Sequence, residues 1–81
     1  MLMKDALNNI LNFFYSENDV VSAYNNRLIF GIKESEYFKA IELLEEQQFI
    51  IAVGIRHSIP GYNLYKITDL GKQLVESGGF K

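Results

Sequence analysis

Three observations in this 81-residue chain predict an α+β, mainly helical domain. From Glu34, the residues Tyr37, Phe38, Ile41, Leu44 and Gln48 recur within about a third of a helix circumference. The pattern changes at Phe49 to a β-rich run, Phe49-Ile50-Ile51-Ala52-Val53-Gly54-Ile55. Ser58-Ile59-Pro60-Gly61 then supplies a turn, because Pro fixes φ at one central position and Gly permits a positive φ at the next; a second β-rich stretch from Tyr62 to Ile67 completes a hairpin. A helix leading straight into a hairpin, with helices before and after, is the arrangement of a winged helix-turn-helix. The expectation is three helices, a two-stranded β-hairpin wing and a short C-terminal helix, in one domain over residues 1–81.

Composition narrows the function classes. A chain this short has room for one core, and 48% hydrophobic with 22% charged residues is the balance of a globular domain, which disfavours disorder. Phe and Tyr, with no Trp, make up 14% of the chain and supply much of the apolar area such a core needs. With no cysteine, neither a disulfide framework nor a thiolate metal site is expected. No stretch approaches the ~20 apolar residues of a membrane span. The N-terminal residues are interrupted by Asn8, Asn9 and Asn12 and carry no small-residue cleavage site, so a cytoplasmic protein is expected. A net charge of −2 argues against attachment to nucleic acid by bulk charge, and any DNA binding has to come from a local patch.

The elements follow in order. Leu2 to Tyr15 reads as the first helix, with Met3, Leu7, Ile10 and Phe14 in one stripe. Leu2, Ala6 and Phe13 flank the stripe on one side and Leu11 on the other. This apolar sector spans about half the circumference, more than one core contact needs. Either the helix is central in a small bundle, or Leu2, Ala6 and Phe13 dock on the same helix of a second copy to form a homodimer. Ser16-Glu17-Asn18-Asp19 stops it, and Val20 to Phe30 reads as a second, short helix on the spacing of Val21, Tyr24 and Leu28. Gly31 ends that helix with a left-handed backbone, and Ile32 anchors a short turn. Lys33 stands where a capping Ser, Thr or Asp is usual, while Glu34 and Glu36 suit the positive end of the next helix dipole. After the hairpin, Thr68 caps a last helix whose apolar edge is Leu70, Leu74 and Val75; Ser77-Gly78-Gly79 ends it.

Charge distinguishes two surfaces. Between Glu34 and Gln48 one lysine stands against five glutamates, a net charge of −4 that phosphates repel. Near the start of this helix Lys33, Ser35 and Lys39, with Arg27 from the preceding segment, are the candidates for the major groove. In the hairpin, Arg56, His57, Tyr62, Asn63 and Lys66 gather around the turn, with no acidic residue between Gln47 and Thr68. In a winged domain such residues touch phosphates or the minor groove.

Lys66-Ile67-Thr68-Asp69-Leu70-Gly71-Lys72 has the hydrophobic-Thr-x-x-Gly form that follows the wing in many winged-helix regulators. Ser16-Glu17-Asn18-Asp19, Gly31-Ile32, Phe38-Lys39-Ala40-Ile41-Glu42-Leu43-Leu44-Glu45, Phe49-Ile50-Ile51 and Leu64-Tyr65 accompany it. In this order and spacing the chain resembles the YjcQ-like family, small winged-helix proteins of Firmicutes and their phages. The resemblance covers most of the chain after residue 10 and rests on short motifs. The chain departs from the pattern with Gln47-Gln48 where Gly usually closes the recognition helix, and with a longer stretch before Gly31. The resemblance implies a winged fold and a phage or mobile-element context, and DNA binding follows by analogy of fold.

Enzymatic chemistry is not expected. The single histidine, His57, has no carboxylate close in sequence, and the chain has no Cys nucleophile, no phosphate-cradling glycine loop and no metal-ligand spacing, so neither cofactor nor metal is expected. Two functions remain. One is a dimeric transcription regulator on double-stranded DNA; the other is a protein-interaction module in which Glu42, Leu43 and Glu46 grip a basic partner protein.

Overall fold

Helix α1 (Met3–Glu17) forms where the periodicity places it, and its wide apolar sector is filled on both flanks. Ala6, Leu7, Ile10, Leu11 and Phe14 are all buried, because helices α2 (Glu34–Glu46) and α3 (Asp69–Glu76) both pack against it. Phe13 meets Phe30 edge to face at 5.7 Å. A contact between α1 and a second copy therefore cannot run through Ala6, which is 3% exposed. The computed structural model describes residues 3–58 and 62–81, so Leu2 and the Ile59-Pro60-Gly61 part of the expected turn lie outside the described residues.

The expected helix over Val20 to Phe30 is not formed. Val21–Ser22 is instead a short strand, β1, and residues 23–30 are successive turns. Polar side chains occupy the backbone groups that a helical ladder would use. The Asn25 amide donates to Ser22 Oγ at 3.2 Å, and Asn26 Nδ2 donates to the Ser22 carbonyl at 2.8 Å. Val21 turns its side chain into the core, whereas Leu28 and Ile29, which a helix could have shared with that face, are exposed. The segment is held to α2 from above: the Tyr37 hydroxyl donates to the Ala23 carbonyl at 2.7 Å, and Phe30 stacks on the Tyr37 ring. Gly31, at φ +67°, redirects the chain into α2. Among the described residues the helices are thus three rather than four.

The hairpin is present as β2 (Ile50–Val53) and β3 (Leu64–Ile67), and β1 joins it to give an antiparallel sheet in the order β1-β3-β2. Val21, Tyr65 and Ala52 lie in one row across the three strands, and Ile50 lies opposite Ile67. This is the face turned to the helices: Tyr65, Ile50 and Ile67 are buried with Tyr37, Ala40, Ile41 and Leu44 of α2. Ile51, Leu64 and Lys66 alternate onto the exposed face.

The last turn of α2, the start of β2 and the start of α3 meet at one junction. Gln47 caps α2, and Gln48 adopts the left-handed conformation at φ +66°. The Phe49 amide then donates to the Leu44 carbonyl and the Gln48 amide to the Glu45 carbonyl, each at 2.9 Å. This is the helix stop that Gly usually makes, formed here by Gln at the cost of left-handed backbone strain. Thr68 ties it to α3: its hydroxyl donates to the Gln48 carbonyl at 2.7 Å and accepts from the Gly71 amide at 3.0 Å, while its own amide donates to the Phe49 carbonyl. Gly71 lies so close that a Cβ would land on the Phe49 carbonyl oxygen and 2.8 Å from Ile67 Cγ1. The Thr-x-x-Gly motif is therefore a cap plus a close backbone approach. At the far end, Asn8 grips the backbone of Phe80, its Nδ2 donating to the carbonyl at 3.1 Å and its Oδ1 accepting from the amide at 2.7 Å. Phe80 also meets the Phe49 ring edge to face.

In an ordinary helix, Gly to Ala gains about 1 kcal/mol. Here Gly71→Ala is expected to lose about 1–3 kcal/mol, because a backbone carbonyl has to move; the unfolding free energy in urea checks the sign.

Candidate nucleic-acid interface

The exposed side of α2 carries Ser35, Lys39, Glu42 and Glu46, with Lys33 at its N-cap, where no side chain caps the helix. Between the C-terminal half of α2 and the chain after β2 lies an open groove of about 490 Å³, lined by Lys39, Glu42, Leu43, Glu45, Glu46 and Arg56. It brings together one candidate from the helix, Lys39, and one from the hairpin, Arg56. It also gathers Glu42, Leu43 and Glu46.

Both arginines of the chain are paired to α2. Arg56 Nη1 lies 2.5 Å from Glu45 Oε2, and Arg27 Nε lies 2.8 Å from Glu34 Oε1. Two of the five glutamates in the acidic stretch are thereby compensated, which brings the helix and its two arginines from −4 to −2. The two pairs differ in kind. Arg27 also donates to the Tyr24 carbonyl at 2.8 Å and lies over the Tyr24 ring at 3.8 Å, with its side chain 23% exposed. Tyr24 in turn stacks on Tyr62, so Arg27 and Tyr62, sought in separate surfaces, share one ladder of planar groups. The Arg56 side chain is 62% exposed, and the Glu45 carboxylate, by hydrogen bond and by charge, favours its protonated form.

Asn63 is a correction. Its expected place among the wing contacts required an exposed side chain, and it is 1% exposed. Its Oδ1 accepts from the His57 amide at 2.6 Å, and its Nδ2 donates to the Tyr65 hydroxyl at 3.3 Å. The Tyr65 hydroxyl donates to Glu45 Oε1, also at 3.3 Å. Asn63 therefore ties the His57 backbone from within, through Tyr65, to Glu45 of α2. His57, Tyr62 and Lys66 stay exposed; Lys66 stands on the outer sheet face opposite Ile51. The sequence reading missed Glu45 as a partner of the hairpin. An acidic residue in the last turn of the helix and an Arg shortly after the next strand was the available signal, and it is too common to decide anything alone.

Compared with known proteins, the chain matches no family model, no curated protein and no solved structure. Among the described residues, no group of three or more His, Asp or Glu side chains is placed to hold a metal ion, and no helix is long and apolar enough to cross a membrane.

Two expectations follow. Asn63→Ala removes the acceptor of the His57 amide and one donor to the Tyr65 hydroxyl, and a loss of about 1–3 kcal/mol is expected in urea unfolding. Burial pushes the Tyr37 and Tyr65 hydroxyls above the ordinary tyrosine value. Their folded-state values exceed the unfolded one, so their contribution is fully present below about pH 10 and is lost as pH rises beyond it. Part of the phenolate absorbance should therefore appear only together with the loss of helical circular dichroism.

Proposed function

We propose that this chain is a winged helix-turn-helix protein that binds double-stranded DNA, a small regulator of transcription of the phage or mobile-element type that its resemblance to the YjcQ-like family suggests. Helix α2 is the recognition helix and the β2–β3 hairpin is the wing. The observation that carries this reading is the single groove lined both by the exposed face of α2 and by the hairpin arginine, with Lys39 and Arg56 among its residues. The element order supports it: a helix, a strand, a turn segment, a helix, a hairpin and a helix, with β1 paired to the second hairpin strand.

In this reading Lys33, Ser35 and Lys39 meet base edges or phosphates in the major groove, and Arg56, His57, Tyr62 and Lys66 meet the backbone. Arg27 and Asn63 support these contacts from within. Three of the five acidic residues of α2, Glu42, Glu45 and Glu46, sit toward its C-terminal end, the end that lifts away from a duplex in this motif; Glu45 is paired with Arg56, and of the two in the first turn Glu34 is paired with Arg27. Regulation is by occupancy: a bound protein, as a homodimer, blocks or recruits polymerase. The protein acts in the cytoplasm and catalyses no reaction.

A second reading is favoured by one observation, that Glu42, Leu43 and Glu46 line the same groove. An acidic groove with an apolar floor residue suits a basic segment of a partner protein.

Fluorescence anisotropy with a labelled random-sequence duplex, at about 50 and 200 mM salt, separates the two. Under the DNA reading, Arg56→Ala and Lys66→Ala each reduce the slope of log affinity on log salt by about 0.9, and the pair Glu42→Lys with Glu46→Lys strengthens binding. Absence of binding at the lower salt by the unmodified chain and by Glu45→Gln alike refutes it.

A further inference from the structure

We infer that Glu45 is an intramolecular competitor of DNA phosphate for Arg56, so that the wing arginine is delivered to the backbone only when a phosphate displaces the carboxylate. The inference rests on the DNA-binding reading and adds to it how the affinity of the wing is set.

The geometry distinguishes the fixed member of the pair from the mobile one. Glu45 is held on two sides. Its Oε1 accepts from the Tyr65 hydroxyl, which Asn63 holds in turn, and its side chain is 19% exposed on a helix whose neighbour Leu44 is fully buried. Arg56 lies beyond the last strand residue of β2, its side chain is 62% exposed, and among the described residues it donates to Glu45 Oε2 alone. If the pair opens, the carboxylate stays and the guanidinium moves. The two non-bridging oxygens of a DNA phosphate offer Arg the same geometry that a carboxylate does, so one ligand can replace the other without a change in the side chain's chemistry.

Arg27 is the internal comparison. It also holds a glutamate of α2, but the Tyr24 carbonyl and the Tyr24 ring hold it as well, and its side chain is less than half as exposed as that of Arg56. Exchange with phosphate there has to break three contacts; at Arg56 it has to break one. Of the two arginines, Arg56 is the one built to be released.

Exposed ion pairs are weak, and opening this one weakens duplex binding by about two- to fivefold relative to an arginine that is already free. Removing any glutamate from α2 also relieves general repulsion, so the test has to separate the two effects. Duplex affinity is measured by anisotropy for the full chain and for Glu45→Gln, Glu46→Gln, Arg56→Gln and the doubles Glu45→Gln/Arg56→Gln and Glu46→Gln/Arg56→Gln. Glu46 lies on the same helix and in the same groove, and its replacement changes the charge equally. The expected result is that Glu45→Gln tightens binding about two- to fivefold more than Glu46→Gln, and that this excess disappears when Arg56 is replaced. Glu45→Asp, which keeps the charge and withdraws the carboxylate by one methylene, is expected to tighten binding in the same direction and serves if Glu45→Gln does not fold. Binding by Glu45→Gln with none by the unmodified chain also supports the inference. Equal gains from Glu45→Gln and Glu46→Gln, or weaker binding by Glu45→Gln, overturn it while leaving the DNA reading intact. No binding by any variant, Glu45→Gln included, overturns both.

Discussion

The approach of Gly71 to the Phe49 carbonyl is the constraint on which the rest of this fold depends. Two backbones cannot come so near unless one residue lacks a Cβ and the carbonyl between them is satisfied, and the Thr68 amide and hydroxyl do the second part. The junction fixes four things together: where α2 stops, where β2 starts, how β3 ends and which way α3 leaves. Since β1 pairs with β3 and α3 packs on α1, the strand order and the helix layer both follow from it.

Above this frame the polar chemistry is nearly all internal. Among the described residues no buried side-chain nitrogen or oxygen lacks a partner. The aromatic residues do two jobs that composition alone cannot separate. Phe13, Phe30 and Tyr37 join the turn segment to the helices, while Tyr24 and Tyr62 form a stack at the edge where β1 meets the loop. The charges on α2 are likewise of two kinds, those matched by arginine from another part of the chain and those left to solvent. A count of acidic residues along a helix overstates the repulsion a ligand would meet when the compensating cations come from elsewhere in the fold.

What could be read from the sequence was what local periodicity and turn chemistry carry. α1, α2, the hairpin and α3 each sit on a pattern that points one way, and Thr68 and Gly71 were visible as a motif before their contacts were. Val20 to Phe30 was misread because Val21, Tyr24 and Leu28 keep helical spacing, while Ser22, Asn25 and Asn26 bond locally and favour turns; in the structure the local bonds win, and Val21 finds its partner in Tyr65, far along the chain. The candidate site was legible only as a set of residue types. Lys39 and Arg56 do line one groove, but whether an Arg is clamped, as Arg27 is by Tyr24 and Glu34, or an Asn is buried, as Asn63 is against His57 and Tyr65, depends on the turn conformation of irregular segments, which no periodicity rule contains.

The grip of Asn8 on Phe80 has a consequence for how the fold is reached. It joins residues 72 positions apart, and the ring of Phe80 covers Phe49 as well. α1 is covered on one side by α2 and on the other by α3, which lies more than half the chain further on, so one of its apolar flanks is closed only by contacts of high sequence separation. The fold therefore closes through contacts between its two ends rather than by growth outward from α1 alone. Loss of the Asn8–Phe80 contact would loosen the cover over the α1 side that includes Leu7, Leu11 and Phe14.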